Sequence, residues 1–216
     1  MSLITLKNVK KEYGKNQLLF ENLSLEIEKG EFVGLVGKSG AGKTTLLNII
    51  GLITDISEGT ITIDGHQNLS MNGKNAMILR RCTIGYLFQN YGLIEDESVL
   101  WNLKLALEYK KIKREEKLKL INKYLKQFEL SDMLNKKVYQ LSGGEQQRIA
   151  IIKLILQGSQ IILADEPTSG LDKENELIVM KLLKELNEKG ITIIMVTHNM
   201  NLCDCFSRVI NVENFR

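Results

Sequence analysis

Hydrophobic residues alternate with polar ones in the first thirty positions of the chain. Ile4 and Leu6, and then Leu23, Leu25 and Ile27, recur at every second position. This period is typical of strands with one buried face and one solvated face. The pattern therefore predicts that the chain begins with β-structure.

A continuous hydrophobic run at residues 32–36 leads into a glycine-rich segment and then into a helical sequence at residues 44–50. The predicted order is strand, glycine-rich loop, helix. Residues 59–65 are β-branched residues bracketed by turn formers, which predicts a hairpin-like segment. Residues 83–88 predict another strand.

Charged, helix-favouring sequence follows at residues 99–128, where hydrophobic residues recur at three- and four-residue steps from Leu118 to Phe128. This predicts a helical insert. Strand patterns return at residues 160–164 and 191–196 and enclose a helical pattern at 174–188, which is a strand–helix–strand unit of parallel type. A last short hydrophobic run lies at residues 208–212. The predicted fold class is α/β.

Composition and charge exclude several classes of protein. Hydrophobic residues make up 44% and charged residues 25% of the 216 residues, which is ordinary for a globular chain. The net charge is only +3, and the basic residues are spread among acidic ones without a long basic block. We therefore expect no nucleic acid partner. The hydrophobic runs are shorter than the roughly 18 residues that span a bilayer, and no secretory signal is evident. We expect a cytoplasmic location and reduced cysteines.

Residues 37–44 fit the phosphate-loop pattern GxxxxGK[ST], with the required strand before it and helix after it. Backbone N–H groups of such a loop converge on phosphate oxygens. Lys43 is expected at the β and γ phosphates, and the Thr44 hydroxyl is an expected magnesium ligand. A merely flexible turn is the alternative, which the flanking strand and helix disfavour. The predicted ATP-binding residues here are Gly37, Lys38, Ser39, Gly40, Ala41, Gly42, Lys43, Thr44 and Thr45.

Two adjacent carboxylates, Asp165 and Glu166, follow the strand predicted at residues 160–164. In phosphate-loop enzymes an aspartate at this place holds magnesium. Glu166 would lie near the γ phosphate and orient or deprotonate the attacking water. Without the phosphate loop, two solvated turn residues would be an equally good interpretation.

A second phosphate-seeking segment lies at residues 141–145, Leu-Ser-Gly-Gly-Glu. Ser142 is a predicted helix cap with Glu145 as its capping-box partner. A helix N-terminus attracts anions, and Gly143 and Gly144 remove side chains that would block a phosphate. Taken alone, the segment is only the start of a helix.

In identity and in order these motifs resemble those of the nucleotide-binding domain of ABC transporters, over essentially the whole chain. The resemblance implies a P-loop NTPase (RecA-like) core with a small antiparallel β subdomain and a helical insert subdomain. A single cassette would occupy residues 1–216, with the core at 1–88 and 158–216 and the helical subdomain at 89–157.

The resemblance also implies roles for residues that carry no signal alone. Tyr13 would stack on adenine, and His198 would contact the γ phosphate. Gln89 would join the magnesium ligands Thr44 and Asp165 and link them to the helical insert. By themselves Tyr13 and His198 would be ordinary core or surface residues. Asp172 would belong to the loop that follows the catalytic carboxylates and would contact the nucleotide, as would Ser142, Gly143, Gly144 and Glu145.

The same family pattern implies a head-to-tail dimer with two ATP molecules and Mg²⁺. Each ATP would lie between Lys43 of one copy and Ser142 and Gly144 of the other. Glu166 would act on the water, and an isolated copy would hydrolyse ATP poorly.

Residues 86–91 and 164–168 are similar to the group of cassettes for lipoprotein release, macrolide export, cell division and bacteriocin export. We therefore expect an ATPase subunit at the cytoplasmic face of the membrane that energises a separately encoded permease. Tyr91, Leu93 and Ile94 are candidate docking residues, with core packing as the alternative. A soluble ABC-type ATPase, for iron–sulfur assembly or at DNA or ribosomes, is the second hypothesis. A binding module without hydrolysis is disfavoured by the intact Asp165, Glu166 and His198.

Overall fold

The chain folds into two β-sheets and a set of helices, and the computed structural model describes residues 2–14 and 17–215. The predicted limits 1 and 216 of the cassette therefore lie outside the described residues. The strands are β1 (Ser2–Tyr13), β2 (Gln17–Glu28), β3 (Phe32–Val36), β4 (Glu58–Ile63), β5 (Ile84–Leu87), β6 (Ile161–Asp165), β7 (Thr192–Val196) and β8 (Arg208–Asn211). The α-helices are α1 (Lys43–Ile50), α2 (Lys74–Cys82), α3 (Val99–Ala106), α4 (Arg114–Gln127), α5 (Gly143–Gln157) and α6 (Lys173–Glu188). Short 3-10 helices lie at Ser131–Met133, Val138–Gln140, Met200–Cys205 and Val212–Phe215.

The larger sheet is parallel and has the strand order β5-β6-β7-β3-β8. Every residue of β3 and β7 is buried, as expected for strands covered on both faces. The carboxyl ends of β3, β6 and β7 consequently lie at one edge of the sheet. The predicted strand–loop–helix and strand–helix–strand units are confirmed.

The smaller sheet is antiparallel, with β1 paired to both β2 and β4. The hairpin-like segment predicted at residues 59–65 is confirmed only in part. Its strand, β4, pairs with β1, and a two-residue turn at Asp64 and Gly65 is closed by one bridge between Ile63 and His66. No second hairpin strand follows in the described chain, because the long strand β1 is the partner that β4 uses.

The predicted helical insert consists of separate helices. The three- and four-residue steps from Leu118 to Phe128 do form one helix face in α4, and Ile121 and Leu125 are buried there. A break at residues 107–113 separates α3 from α4. Leu107, the C-cap residue of α3, has a non-helical backbone conformation and is fully buried in the core.

Successive residues of the central strands belong to opposite cores. In β6, Ile161 and Leu163 pack with α1 and the antiparallel sheet, whereas Ile162 and Ala164 pack with α3, α4, α5 and α6. The central sheet is therefore the middle of three layers. Within the described ranges, no helix combines the length and the apolar character that a bilayer crossing requires.

Gly34 in β3 shows how closely the core on the side of α3, α4, α5 and α6 is packed. A Cβ atom at this position would lie 2.4 Å from Cδ2 of Phe206, whose ring packs edge-on against Phe32 with 5.2 Å between centroids. We expect Gly34→Ala to destabilise the chain by about 1–3 kcal/mol, measured by urea unfolding. In a Phe206→Ala background the same change should cost much less, because the ring is gone. An equal cost in both backgrounds would contradict this explanation.

Candidate active site

The edge where β3, β6 and β7 end carries a cavity of about 380 Å³. This volume lies in the range of ordinary ligand pockets. The loop after β3, the residue after β6 and the second residue after β7 all reach it. Its lining residues are Tyr13, Gln17, Leu19, Ser39, Gly40, Gly42, Lys43, Thr44, Thr45, Glu166 and His198. Most of the residues predicted to bind ATP from this copy are thus brought together.

The loop between β3 and α1 curls around the side chain of Lys43. The Nζ atom of Lys43 donates to the carbonyl oxygens of Gly37, at 2.8 Å, and of Lys38, at 2.9 Å. Lys43 is buried, with 6% of the residue exposed. An ammonium group has three donors, so the two carbonyls leave capacity for a further acceptor. The loop therefore presents a partly satisfied cation to the cavity.

Two glycines of this loop are required for different reasons. Gly40 and Gly42 have positive φ angles of 73° and 98°, which glycine adopts without steric cost. A Cβ at Gly40 would meet nothing within 4 Å, whereas one at Gly42 would lie 2.7 Å from Phe20. Gly42 thus also permits the loop to pack on β2. The amide of Lys38 donates to the Glu213 carboxylate at 3.3 Å, so this amide already has an acceptor within the chain.

Thr44 and Asp165 place two oxygen ligands next to each other. The Thr44 hydroxyl donates to Oδ1 of Asp165 over 3.2 Å. Burial raises the pKa of Asp165, and the neighbouring Glu166 carboxylate adds to this, while the Thr44 hydrogen bond opposes it. A divalent cation at these oxygens would favour the ionised carboxylate. The two residues therefore fit a magnesium site.

The chemistry of magnesium agrees with such a small protein ligand set. Mg²⁺ commonly takes one or two carboxylates from a protein and keeps waters and substrate phosphates as its other ligands. Across residues 2–14 and 17–215, no group of three or more His, Cys, Asp or Glu side chains could hold a metal. The expected third ligand, Gln89, is exposed after β5, and no residue in the described chain hydrogen-bonds its amide. Gln89 does not line the cavity that Thr44 lines, and its role as a magnesium ligand remains a prediction.

Glu166 and His198 form a close pair over the cavity. The distance from Nε2 of His198 to Oε1 of Glu166 is 2.6 Å. Glu166 has a φ of 48°, which is strained for a residue with a Cβ. Its backbone is held by hydrogen bonds to Val196 and from Ser169. An acid–base pair is therefore fixed in a strained turn at the end of β6, beside the Lys43 loop.

Tyr13 lies at the end of β1 with one ring face covered. Nζ of Lys11 is 4.7 Å from the ring centroid, and the Tyr13 hydroxyl is 3.4 Å from Oγ1 of Thr45. A flat ligand could therefore stack only on the opposite face. Gln17 and Leu19 of β2 line the same cavity. Sequence reasoning missed both, because an alternating strand carries no signal that separates a ligand contact from an ordinary surface residue.

The segment at residues 142–145 begins α5 as predicted. The Ser142 side chain accepts from the Glu145 amide, the Glu145 carboxylate accepts from the Ser142 amide at 2.7 Å, and these bonds complete the capping box. The hydrogen bond from Ser142 also lowers the pKa of Glu145. Residues 142–145 do not line the cavity in the described part of the chain. The second predicted phosphate-seeking segment is therefore not part of the Lys43 cavity of the same copy.

The two glycines of that segment also have partners inside the chain. A Cβ at Gly144 would lie 2.2 Å from Oδ1 of Asn175 on α6, and one at Gly143 would lie 3.1 Å from the Tyr91 hydroxyl. Clearing a path for phosphate is therefore an incomplete explanation of these residues. Further along α5, the fully buried Gln147 donates to the carbonyl oxygen of Pro167, directly after Glu166. No sequence motif indicated that contact.

Asp172 acts locally as the N-cap of α6. Its carboxylate accepts from the Asn175 amide at 2.8 Å and from the Asn175 side chain, and these bonds lower the pKa of Asp172. It does not line the cavity in the described residues. A contact of Asp172 with nucleotide remains a prediction.

Comparison with known proteins adds independent findings. The profile of a family described as "ABC transporter" matches residues 20–169. The macrolide export ATP-binding/permease protein MacB of Campylobacter jejuni subsp. jejuni serotype O:2 is 41% identical over 212 residues, which are 98% of this chain and 33% of that protein. The chain thus spans about a third of the length of this relative. An uncharacterized ABC transporter ATP-binding protein of Methanocaldococcus jannaschii, MJ1508, is 41% identical over 215 residues, which are 98% of this chain and 96% of that protein.

Solved structures have the same fold. A dimeric structure of a post-hydrolysis state of the ATP-binding cassette MJ0796, bound to ADP and Pi, superposes with a TM-score of 0.86 at 38% identity. That match covers 96% of this chain and 93% of the other. CbiO1 from Clostridium perfringens, part of the ABC transporter complex cbiONQ, matches with a TM-score of 0.86 at 27% identity, over 98% of this chain and 86% of the other.

The raised pKa of Asp165 predicts a specific pH dependence of stability. The folded chain holds a proton on Asp165 at pH values where the unfolded chain, with a pKa near 3.8, has lost it. This contribution to stability is present at low pH and is lost as the pH rises through the folded-state pKa. We expect Asp165→Asn to raise the urea midpoint of the ligand-free chain, by an amount that grows from about pH 4 towards neutrality. Asp132→Asn, at an exposed position, controls for the change in net charge; a pH-independent effect of Asp165→Asn would contradict the burial argument.

Proposed function

The chain belongs to the ABC transporter family of ATP-binding domains, and from this premise we propose that it binds and hydrolyses ATP to energise a membrane transporter. The observation that carries the proposal is the cavity into which the Lys43 loop and the Glu166–His198 pair both open. This arrangement combines phosphate binding with a group that can act on water.

In the proposed reaction each side chain has one task. The loop at residues 37–44 holds the phosphates. The Lys43 ammonium donates a further hydrogen bond to phosphate oxygens, in addition to those it makes with the loop. Thr44 and Asp165 would hold Mg²⁺, and Gln89 is the candidate third ligand. The metal would neutralise charge on the phosphates. Glu166 orients and deprotonates the attacking water, and His198 holds the Glu166 carboxylate over the phosphates.

A second copy would complete the site. The N-terminus of α5 offers the Ser142 hydroxyl and the amides of Gly143 and Gly144 to an anion, but it does not line the Lys43 cavity of its own copy. A head-to-tail dimer with two-fold symmetry would place this segment of each copy over the Lys43 loop of the other. The dimeric MJ0796 cassette, bound to ADP and Pi, supports this arrangement.

The membrane partner would dock in a second groove, beside β5. This groove has a volume of about 250 Å³ and lies between α1, α2, β5 and α5. Its lining residues are Gly51, Ile53, Arg80, Ile84, Tyr86, Phe88, Tyr91, Gly92, Ala150, Lys153, Leu154 and Gln157. Of the predicted docking residues, Tyr91 lines it, Leu93 packs against the core and Ile94 is exposed nearby in sequence.

The charge of the groove indicates the partner's chemistry. Nζ of Lys153 donates to the Gly92 carbonyl at 2.7 Å, and burial lowers the pKa of this ammonium. Arg80 donates to the carbonyls of Leu52 and Met71. Within the described residues, neither cation has a carboxylate within 4.0 Å. A permease segment with an apolar face and one carboxylate would fit this groove. The chain would then lie at the cytoplasmic face of the membrane.

The assignment of Glu166 predicts a separation of binding from hydrolysis. Glu166→Gln preserves the shape of the side chain but removes the base, so ATP turnover should fall by about 10²–10⁴-fold. ATP binding should persist, and ATP-bound dimer should accumulate in size-exclusion chromatography. Lys43→Ala is the comparison variant, since it should lose ATP binding itself. Unchanged phosphate release by Glu166→Gln would overturn the assignment.

The docking groove predicts a charge-sensitive complex with a permease. Ile94→Glu and Lys153→Glu should each reduce recovery of a multi-span membrane protein that co-purifies with the tagged wild-type chain from detergent-solubilised membranes. Leu177→Glu is the matched control, because Leu177 is exposed on α6 outside the groove. The captured protein should stimulate ATP turnover when both are reconstituted. Equal recovery with all variants would contradict docking here and would favour an ATPase without a permease.

A further inference from the structure

The loop that carries His198 is tied to α6 through the side chain of Asn199. Nδ2 of Asn199 donates to both carboxylate oxygens of Glu176, at 3.4 and 3.3 Å. Oδ1 of Asn199 accepts from the Asn201 amide at 3.1 Å and caps the following 3-10 helix. Both polar atoms of the Asn199 side chain are therefore hydrogen-bonded, Nδ2 to Glu176 and Oδ1 to the Asn201 amide.

Glu176 is anchored in the first turn of α6. Its amide donates to the carbonyl of Asp172 at 2.9 Å, and Asp172 is the N-cap of the same helix. A capped first turn is rigid, and a helix N-terminus favours a negative charge. Glu176 is thus a fixed acceptor for Asn199.

His198 itself has little other support. Half of its side chain is exposed, and in the described residues its imidazole hydrogen-bonds only Glu166. The ring is therefore placed by its backbone, and the backbone is fixed one residue later by Asn199. Glu166, His198, Asn199 and Glu176 all line one cavity of about 290 Å³, next to the proposed site.

We propose that Glu176 is a positioning residue for ATP hydrolysis: through Asn199 it holds His198 in place against Glu166. This inference rests on the proposed function. Glu176 does not line the cavity that opens to the Lys43 loop. It therefore acts by positioning the loop that carries Asn199 and His198, and it does not contact the reacting atoms. The role requires a donor on one residue of the 176–199 pair and an acceptor on the other.

Exchanging donor and acceptor tests the pair. Asn199→Asp removes the donor and sets two carboxylates against each other, so kcat should fall at least about tenfold with little change in KM for ATP. Adding Glu176→Gln restores a donor opposite the new carboxylate, which can still accept from the Asn201 amide. The double variant should recover kcat to within about threefold of the wild type. Glu174→Gln, the same charge change on the same helical turn, should leave kcat unchanged.

The readouts are phosphate release, binding of a fluorescent ATP analogue and thermal unfolding. If Asn199→Asp fails to fold, Glu176→Leu removes the acceptor without adding charge, and its kcat should fall with KM unchanged. The proposal is wrong if the double variant is no better than Asn199→Asp, if Glu174→Gln loses as much, or if Glu176→Leu keeps kcat within twofold. Absence of turnover in the wild-type chain would instead refute the proposed function.

Discussion

Burial of both faces of the central parallel strands is the constraint on which the rest of the structure depends. The strands β3 and β7 have no exposed residue, so polar groups can occur only where these strands end. Parallel order places those ends at one edge. The Lys43 loop, the Asp165–Glu166 pair and His198 therefore meet although they are far apart in the chain. The packing of the central sheet therefore determines which polar side chains meet at this edge.

The same edge holds charge in an unfavourable state. Asp165 is partly desolvated, and Glu166 has a strained backbone. Among the described residues, the Lys43 ammonium donates only to backbone carbonyls. A bound cation would favour the ionised Asp165 carboxylate, and an anionic nucleotide would provide an acceptor for the Lys43 ammonium. The hydrophobic layers on both sides of the sheet keep this arrangement in place without a ligand. Such a site gains affinity from interactions that the ligand-free chain leaves incomplete.

The first turn of α6 connects parts of the chain that would serve different ATP molecules in a dimer. Asp172 caps the helix, and two residues of the first turn contact different parts of the chain. Asn175 packs on Gly144 at the start of α5, whereas Glu176 holds Asn199 beside His198. A shift of the loop that carries His198 would therefore also displace residues 142–145, the segment that would face the second copy. The rigidity of one capped turn provides the physical link.

Local patterns in the sequence determined the phosphate loop, the carboxylates at the end of β6 and the capping box at Ser142, because each is recognised from neighbours within a few residues. Tertiary structure alone decided that β4 pairs with β1, that Leu107 is buried in the core and that Gln17 and Leu19 line the cavity. It also decided the contact of Asn175 with Gly144. These features depend on which surfaces pack together, and hydrophobic periodicity tells which face of an element is buried but not what buries it.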